Sequence, residues 1–484
     1  MELSKLTKLT KAELLIKCDE LGLTKVKSKT KTELITLINE KALEKQGPSL
    51  TVEHDISDAS DSDYNSDCDE NLIMVDEENK IIDNDIIIDN ISTKIDLSNY
   101  KFIDLFCGIG GFHQALHKLG AKCVLACDID KACRVVYKDN YGIEPVSNVK
   151  DINEKTMVDF DIICAGFPCQ SFSNGGNKKC FEDERGLLFD EIIRIAKEKK
   201  PKFMFLENVK HILKVSNGEV IDYIKKKIAS TGYRLQIFNM SPHNYGIPQQ
   251  RERVYFVCVR NDIYNGTDIV LPSYIGGIDF NKFLDKKEEI DEKYFIKGDI
   301  LNVLEAWDEI IKQFETGEKI SPTIMMNDAF KSYSQIEFSG FPNWKQDYIT
   351  KNKPLIEKYY NQFKPWYNKY SAILQKTETY GKLEWQTGPI KNNDSIFNHF
   401  IQIRQSGIRV KKGQYFPTLV AISNIPIYGK EKRYITPREC ARLQSFPDSF
   451  KLSKDDKKSY KQLGNSVNVD NVYTVISSTF KHYL

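Results

Sequence analysis

What this chain of 484 residues lacks narrows its class before any motif is read. No apolar run approaches 18 residues, and the first residues carry no secretory leader, so the protein is expected to be soluble and intracellular. Its 11 cysteines then read as reduced thiols. Cys123, Cys127 and Cys133 have no paired CxxC around them and no nearby ligand histidine, and they fall along an apparent strand and the helix after it. No metal centre is expected. An overall charge is also missing: the net value is +1. That near-neutrality hides an asymmetry. Residues 53–100 hold fifteen acids against two lysines and residues 1–46 hold ten lysines against seven acids, which leaves the rest of the chain at about +11. A basic body suits a polyanion such as nucleic acid, although the same excess over so many residues also describes an ordinary solvated surface.

With 41% apolar residues, a chain of this length buries a substantial core and divides into two or three units. Residues 1–46 read as two short helices. Thr10 with Glu13 and Thr30 with Glu33 fit capping boxes; Leu14, Leu15, Cys18 and Leu21 make one apolar stripe ended by Gly22, and Leu34, Ile35 and Ile38 make another. Residues 47–100, rich in Asp and Ser, cannot bury much apolar surface and read as an acidic flexible linker. After Tyr100 strand and helix patterns alternate. KFIDLFCG, KCVLACDI, FDIICAG, KFMFLENV, YRLQIFNM and RVYFVCV read as strands, with helical stretches such as GFHQALHKLG and GLLFDEIIRIAKEKK between them, which predicts a doubly wound α/β sheet.

Two turns of that sheet carry chemistry. Phe106 to Gly111 is glycine-rich and opens a helix, so backbone approaches a ligand closely, while Asp128 ends the next strand where a carboxylate accepts ribose hydroxyls. By itself the turn equally suits NAD or FAD and leaves a dehydrogenase open. The other turn is FDIICAGFPCQSFSNGG, in which an apolar run stops at Gly166 and delivers Pro168 and Cys169 to the carboxyl end of a strand. Pro168 stiffens the backbone before the thiol, placing it at a site edge, whereas most cysteines pack away as small hydrophobes. In QQRERVYFV, Arg251 and Arg253 are two residues apart and on a strand would face the same side.

FIDLFCGIGGF, FDIICAGFPCQSFSNGG, FMFLENVK, QQRERVYFV, PRECARLQSFPDSF and LGNSVNV, in this order and spacing, resemble the motif set of the cytosine-5 DNA methyltransferases. The match spans most of residues 101–262 and 404–484. It implies a Rossmann-like S-adenosylmethionine-dependent methyltransferase sheet with a smaller target-recognition domain: a catalytic domain over 101–262, recognition over 263–430, and C-terminal motifs over 431–484 that return to the catalytic domain. It implies S-adenosylmethionine as cofactor, with Phe106, Gly108, Ile109, Gly110 and Gly111 around its methionine part, Pro168 at the pocket edge, Asp128 on the ribose and Asn465 closing the pocket. Ile129 replaces the aromatic that commonly packs on adenine, and Asn148 stands where an Asp often takes the adenine amine. Ile still packs and an amide oxygen still accepts.

The same resemblance makes Cys169 the nucleophile that adds to carbon 6 of cytosine. It sets Glu207 on the ring N3 and exocyclic amine and Arg253 on O2, with Arg251 nearby favouring the thiolate. Because the target carbon lies inside duplex DNA, the base must be flipped out. Residues 171–185, with Gly175, Gly176, Lys178 and Lys179, read as the loop that closes over it.

Residues 1–46 are similar to SAP-type helix-turn-helix modules that bind DNA, with Lys25, Lys27, Lys29 and Lys31 as phosphate contacts. Between 262 and 403 the family pattern fades, as expected for a region that varies with specificity. Tyr359, Phe363, Trp366, Tyr367 and Tyr370 there fit a helical core stripe at least as well as a base-reading surface. Arg404, Arg409, Lys411 and Lys412, beside a glycine turn, are candidates for phosphate and base-edge contacts. The expected partner is double-stranded DNA, bound by a monomer, with no membrane and with a cognate restriction endonuclease as a further candidate. The rival readings are a transfer-RNA cytosine-5 methyltransferase, disfavoured by the large recognition region and the added module, and a catalytically silent DNA-binding relative, disfavoured by the joint presence of Cys169, Glu207, Arg251 and Arg253.

Overall fold

The computed structural model describes residues 13–14, 95–168, 187–273, 276–332, 340–420 and 424–484. The chain divides into two compact units, Met1–Asn65 and Ser66–Leu484. In the first, Glu13 and Leu14 are helical and Leu14 is buried. The rest of the helical module, the linker up to 94, Cys169 and the loop over 171–185 lie outside the described residues.

The second unit contains two six-stranded sheets. The first is built from β1 (Lys101–Leu105), β2 (Lys122–Cys127), β3 (Ile162–Gly166), β4 (Phe203–Val209), β5 (Tyr233–Met240) and β6 (Arg253–Arg260), the six runs expected as strands. Their order is β2-β1-β3-β4-β6-β5. Strands β2, β1, β3 and β4 are parallel, while β6 is inserted antiparallel between β4 and β5. Helices α1 (Gly111–Lys118), α2 (Lys131–Tyr141), α3 (Leu187–Lys199) and α4 (Glu219–Ser230) fall between the strands. Strands buried on both faces read as continuous apolar runs, which is why this sheet was legible from residue pattern. One face, with Phe102, Cys164, Phe203, Phe205 and Val257, packs with Phe112, Ala115 and Leu116 of α1. The opposite face, with Ile103, Ile163, Met204, Leu206 and Phe256, packs with Ile192 and Ile193 of α3 and Ile224 and Ile228 of α4.

The second sheet is formed by β7 (Thr323–Met325), β8 (Lys382–Gln386), β9 (Phe400–Arg404), β10 (Gly407–Lys411), β11 (Ile427–Tyr428) and β12 (Arg433–Tyr434), in the order β12-β11-β9-β10-β8-β7. The pair β8/β10 is parallel and the others are antiparallel. Helices α5 (Gly298–Ile311), α6 (Met326–Ser332), α7 (Asn343–Lys358) and α8 (Tyr360–Leu374) accompany it. Tyr359, Phe363, Trp366 and Tyr367 are buried with Trp307, Ile324, Leu383 and Ile408, and the Trp366 indole donates to the Ala306 carbonyl at 2.6 Å. These aromatics are core, so the helical-stripe reading is the one that holds. Arg404 and Arg409 are buried as well, and Arg409 donates to Glu384 at 2.7 Å; Lys411 is half-buried and Lys412 exposed.

Strand β12 carries the second sheet to Tyr434, a little past the 430 boundary expected for the recognition domain. There the chain turns into α9 (Pro437–Leu443), capped by a reciprocal Thr436/Glu439 box with proline in its first turn. Glu439 is fully buried and takes both terminal nitrogens of the fully buried Arg433 at 2.8 Å each, together with the amides of Thr436 at 2.7 Å and Asp285 at 2.9 Å. The PRECARLQSFPDSF motif therefore braces the second sheet, the strand leading into it and the segment around Asp285. After α10 (Asp456–Asn465), α11 (Val469–Tyr483) returns to the first sheet, where Phe480 packs on Tyr100 and Phe203 with ring centroids 5.0 and 4.7 Å apart.

Candidate active site

The carboxyl ends of β1, β2, β3 and β4 form one edge, and the expected residues gather along it. At the end of β1 the chain turns through Phe106, Gly108 and Gly110, all with positive φ (54°, 53° and 91°). No atom lies within 4 Å of the place a Gly108 Cβ would occupy, so backbone faces open space there. Gly110 is backed by Tyr141, whose hydroxyl donates to its carbonyl at 2.9 Å and whose ring stacks on His113 at 3.8 Å. A side chain at Gly111 would stand 2.5 Å from Val467. The LGNSVNV segment thus lies directly on the turn, with Ser466 and Val467 making the approach, while Asn465 is exposed at the end of α10.

Asp128, just past β2, accepts the Gly108 amide on one carboxylate oxygen and the Asp130 amide on the other, each at 2.8 Å. Burial raises its pKa, and these two amides pull it back. Each oxygen retains a lone pair for a sugar hydroxyl. Ile129 beside it is 83% exposed, an apolar side chain standing in water where a planar ring would cover it. Asn148 caps a short turn by accepting the Lys150 amide at 3.1 Å on its side-chain oxygen. Lys461 of α10 reaches Asp130 at 3.1 Å, a second tie between the LGNSV segment and this edge. These residues fit a nucleoside with a charged tail: an open glycine turn, a sugar-binding carboxylate and an uncovered apolar face.

The chemical side is formed by β3, β4 and β6. Gly166 pairs in register with Glu207, which pairs with Tyr255 across β6. Glu207 is 8% exposed, and one of its oxygens meets Arg253 Nε at 3.1 Å. The other oxygen is 3.8 Å from where a Gly166 side chain would begin, so it points towards the strand that leads to Pro168 and Cys169. Burial raises the Glu207 pKa against the opposing pull of Arg253 and then Arg251. Pro168 is exposed at the strand end, and Cys169 is the first residue after it beyond those described. Asn208, unremarked in the sequence, is 3% exposed and donates to the Phe167 carbonyl at 2.9 Å, clamping the start of that loop. Its place inside LENV was the available signal.

Arg251 does not share a strand with Arg253. Strand β6 begins at Arg253; before it the chain leaves the sheet and Gln249 bridges to Phe416 instead. Arg251 is 2% exposed and donates to the carbonyls of Leu419, Gly464 and Ser466. Burial and the neighbouring Arg253 lower its pKa to about 9. Its charge acts on Glu207 from a distance, and its hydrogen bonds are spent elsewhere.

A family model described as C-5 cytosine-specific DNA methylase matches residues 100–481, most of the chain. The chain belongs to this family. The methylase is 31% identical over 371 residues to the Type II methyltransferase M.HhaI of Haemophilus parahaemolyticus, covering 77% of this chain and 91% of the relative. It is 30% identical over 429 residues to M.BanI of Aneurinibacillus aneurinilyticus, and 31% identical over 436 residues to M.HgiCI of Herpetosiphon aurantiacus; each match covers 79% of this chain and at least 96% of the relative. The methylase is therefore an enzyme that methylates carbon 5 of cytosine in DNA, and its family uses S-adenosylmethionine as methyl donor. Among the described residues no helix is long and apolar enough to cross a membrane, and no cluster of three or more His, Cys, Asp or Glu could hold a metal.

Proposed function

We propose that the methylase works through a covalent adduct between Cys169 and carbon 6 of a cytosine swung out of double-stranded DNA, with the methyl donor seated on the Phe106–Gly111 turn. The observation that carries this reading is the Glu207–Arg253 pair beside Gly166, a buried carboxyl and guanidinium at the strand end from which Cys169 follows three residues later. Carbon 5 of cytosine is not nucleophilic. A thiolate adding to carbon 6 forms the C–S bond and pushes the ring electrons towards carbon 5 and N3. Glu207 is poised to meet that charge: burial favours its protonated form, which donates to N3 while the other oxygen stays tied to Arg253. Arg253, with a terminal nitrogen that has no hydrogen bond among the described residues, takes cytosine O2. S-adenosylmethionine supplies an electrophilic methyl group to carbon 5. Water takes the carbon-5 proton as the C–S bond breaks, and N3 returns its proton to Glu207, which restores the aromatic ring and the thiolate.

On the donor side, Gly108, Ile109, Gly110 and Gly111 cradle the methionine part with Phe106, Asp128 holds the ribose, and Ile129 and Asn148 meet the adenine; Pro168 and Asn465 close the edges. Residues 263–430 select the DNA sequence. The Type II names of the relatives favour a restriction endonuclease of the same site as partner.

Sequencing methylcytosine in DNA from cells that express the protein maps its site. A duplex with 5-fluorocytosine at that position then traps the enzyme in a denaturation-resistant complex that requires S-adenosylmethionine, because fluorine does not leave as a proton does. Cys169→Ser abolishes trapping, since a hydroxyl is far less ionised near neutral pH. A Cys169→Ser protein that still forms the adduct overturns the mechanism.

A further inference from the structure

Arg251 sits where three distant stretches of chain meet. Its Nη1 donates to Leu419 of the recognition region at 2.7 Å, and its Nη2 donates to Gly464 and Ser466, on either side of Asn465, at 2.9 and 2.7 Å. The next residue, Val467, lies on the glycine turn. Alongside, the Phe416 amide donates to the Pro248 carbonyl at 2.7 Å, the Gln250 amide to the Phe416 carbonyl at 3.1 Å, and the Thr418 hydroxyl to the Gln250 carbonyl at 2.6 Å. A guanidinium is a rigid planar fork, so carbonyls held by one fork do not shift independently. Two residues later the same backbone presents Arg253 to Glu207.

We propose that Arg251 is a positioning residue that couples the methyl-donor pocket to the DNA-recognition region and touches neither ligand. A donor that fixes Ser466 and Val467 against Gly111 thereby also fixes Leu419, and DNA that fixes the recognition strand fixes the lid of the donor pocket. The three acceptors are backbone carbonyls, which any residue supplies, so the link survives sequence change in the region that sets specificity. This inference rests on the donor and DNA faces assigned under the proposed function.

Coupling of this kind is reciprocal: each ligand strengthens the other by the same factor, commonly about 5- to 150-fold for linked sites. The test measures Kd for S-adenosylhomocysteine with and without the duplex carrying the mapped site, and Kd for that duplex with and without S-adenosylhomocysteine. Wild type should give one factor in both directions. In Arg251→Met and Arg251→Lys the factor should fall towards 1, while S-adenosylhomocysteine alone binds within severalfold of wild type; lysine is a point charge without the fork and does not hold all three carbonyls. A purely structural role would weaken both ligands and leave their ratio unchanged, so a folded variant with the wild-type factor overturns the proposal, as does a wild-type factor of 1. Hydrogen exchange on the wild type covers variants that fail to fold: S-adenosylhomocysteine alone should slow the amides of Gln250 and Phe416, and unchanged exchange with the ligand bound overturns the coupling. No binding of S-adenosylhomocysteine at all would instead overturn the donor assignment, and the inference with it.

Discussion

Replacing Glu439 by Gln tests whether the junction between the two sheets is held by charge. The carboxylate accepts four hydrogen bonds, two from Arg433 and one each from the amides of Thr436 and Asp285, and both members of the ion pair are 0% exposed. Glutamine keeps the shape but has one accepting oxygen, and its NH2 faces a guanidinium that also donates. Arg433 is left with Glu431, at 2.6 Å, as its remaining carboxylate. Removing one partner of a buried pair costs about 3–5 kcal/mol, because the surviving charge stays out of water. The upper half of that range applies here, since the Thr436 and Asp285 amides sit on different carboxylate oxygens and one of them loses its acceptor together with the pair, at roughly 1–3 kcal/mol on its own. Arg433→Met should cost less, because the four-acceptor carboxylate then keeps its two amides. The double variant, Arg433→Met with Glu439→Gln, should regain only the part due to the stranded guanidinium, as one of the Thr436 and Asp285 amides still lacks its acceptor. Urea unfolding followed by circular dichroism, read as a double-mutant cycle, measures these terms. A Glu439→Gln loss below about 1 kcal/mol, the range of solvent-exposed pairs, would refute the idea that this pair is desolvated and holds the junction.

Glu207→Gln should lower turnover about 10²–10³-fold, the scale of losing one preorganised contact to developing charge, while the DNA Kd changes little; equal losses in both would refute its assigned role. Burial raises the Glu207 pKa, so its stabilising contribution is fully present below the unfolded pKa and is lost as pH rises through the folded one. The melting-temperature difference between wild type and Glu207→Gln should therefore shift in favour of wild type as pH is lowered through that window, and melts at several pH values check the sign. Gly111→Ala, whose new methyl would stand 2.5 Å from Val467, should raise the S-adenosylhomocysteine Kd by roughly 5- to 150-fold, the equivalent of about 1–3 kcal/mol of overpacking, as measured by calorimetry.

The first sheet was readable because strands covered on both faces need unbroken apolar runs, and IICA in β3 or VYFVC in β6 leave little choice. What the pattern does not carry is order. That β6 runs antiparallel between β4 and β5 is decided by which edges meet, a tertiary matter. The second sheet was illegible for a different reason: β11 and β12 are two residues each and β7 is three, too short for alternation to register. The aromatics of α8 were ambiguous because a stripe at helical spacing suits either a core or a binding face; burial against Trp307 resolves them. The strand was expected to begin two residues too early, at Arg251. A two-residue spacing puts side chains on one face only while the chain remains a strand, and here the partner of Gln249 is Phe416, far along the sequence.

The return of α11 to the first sheet has a consequence for how the chain is made. Phe102, near the start of β1, shares a core with Val472, Val475, Ile476 and Phe480, some 370 residues later. At translation speeds of about 5–20 residues per second, roughly 20–70 s pass between the emergence of β1 and that of its final cover. Until α11 emerges, Phe102, Phe203 and Phe205 lack the packing that Phe480 and its neighbours supply, and the glycine turn lacks Val467. A nascent chain stalled before residue 464 has its complete set of sheet strands but neither the lid of the donor pocket nor two of the three carbonyls that Arg251 grips. Such a fragment should be a client for chaperones, exposing an apolar sheet face. Methylation competence arrives only once the stretch from Gly464 to Phe480 has been made, all at once.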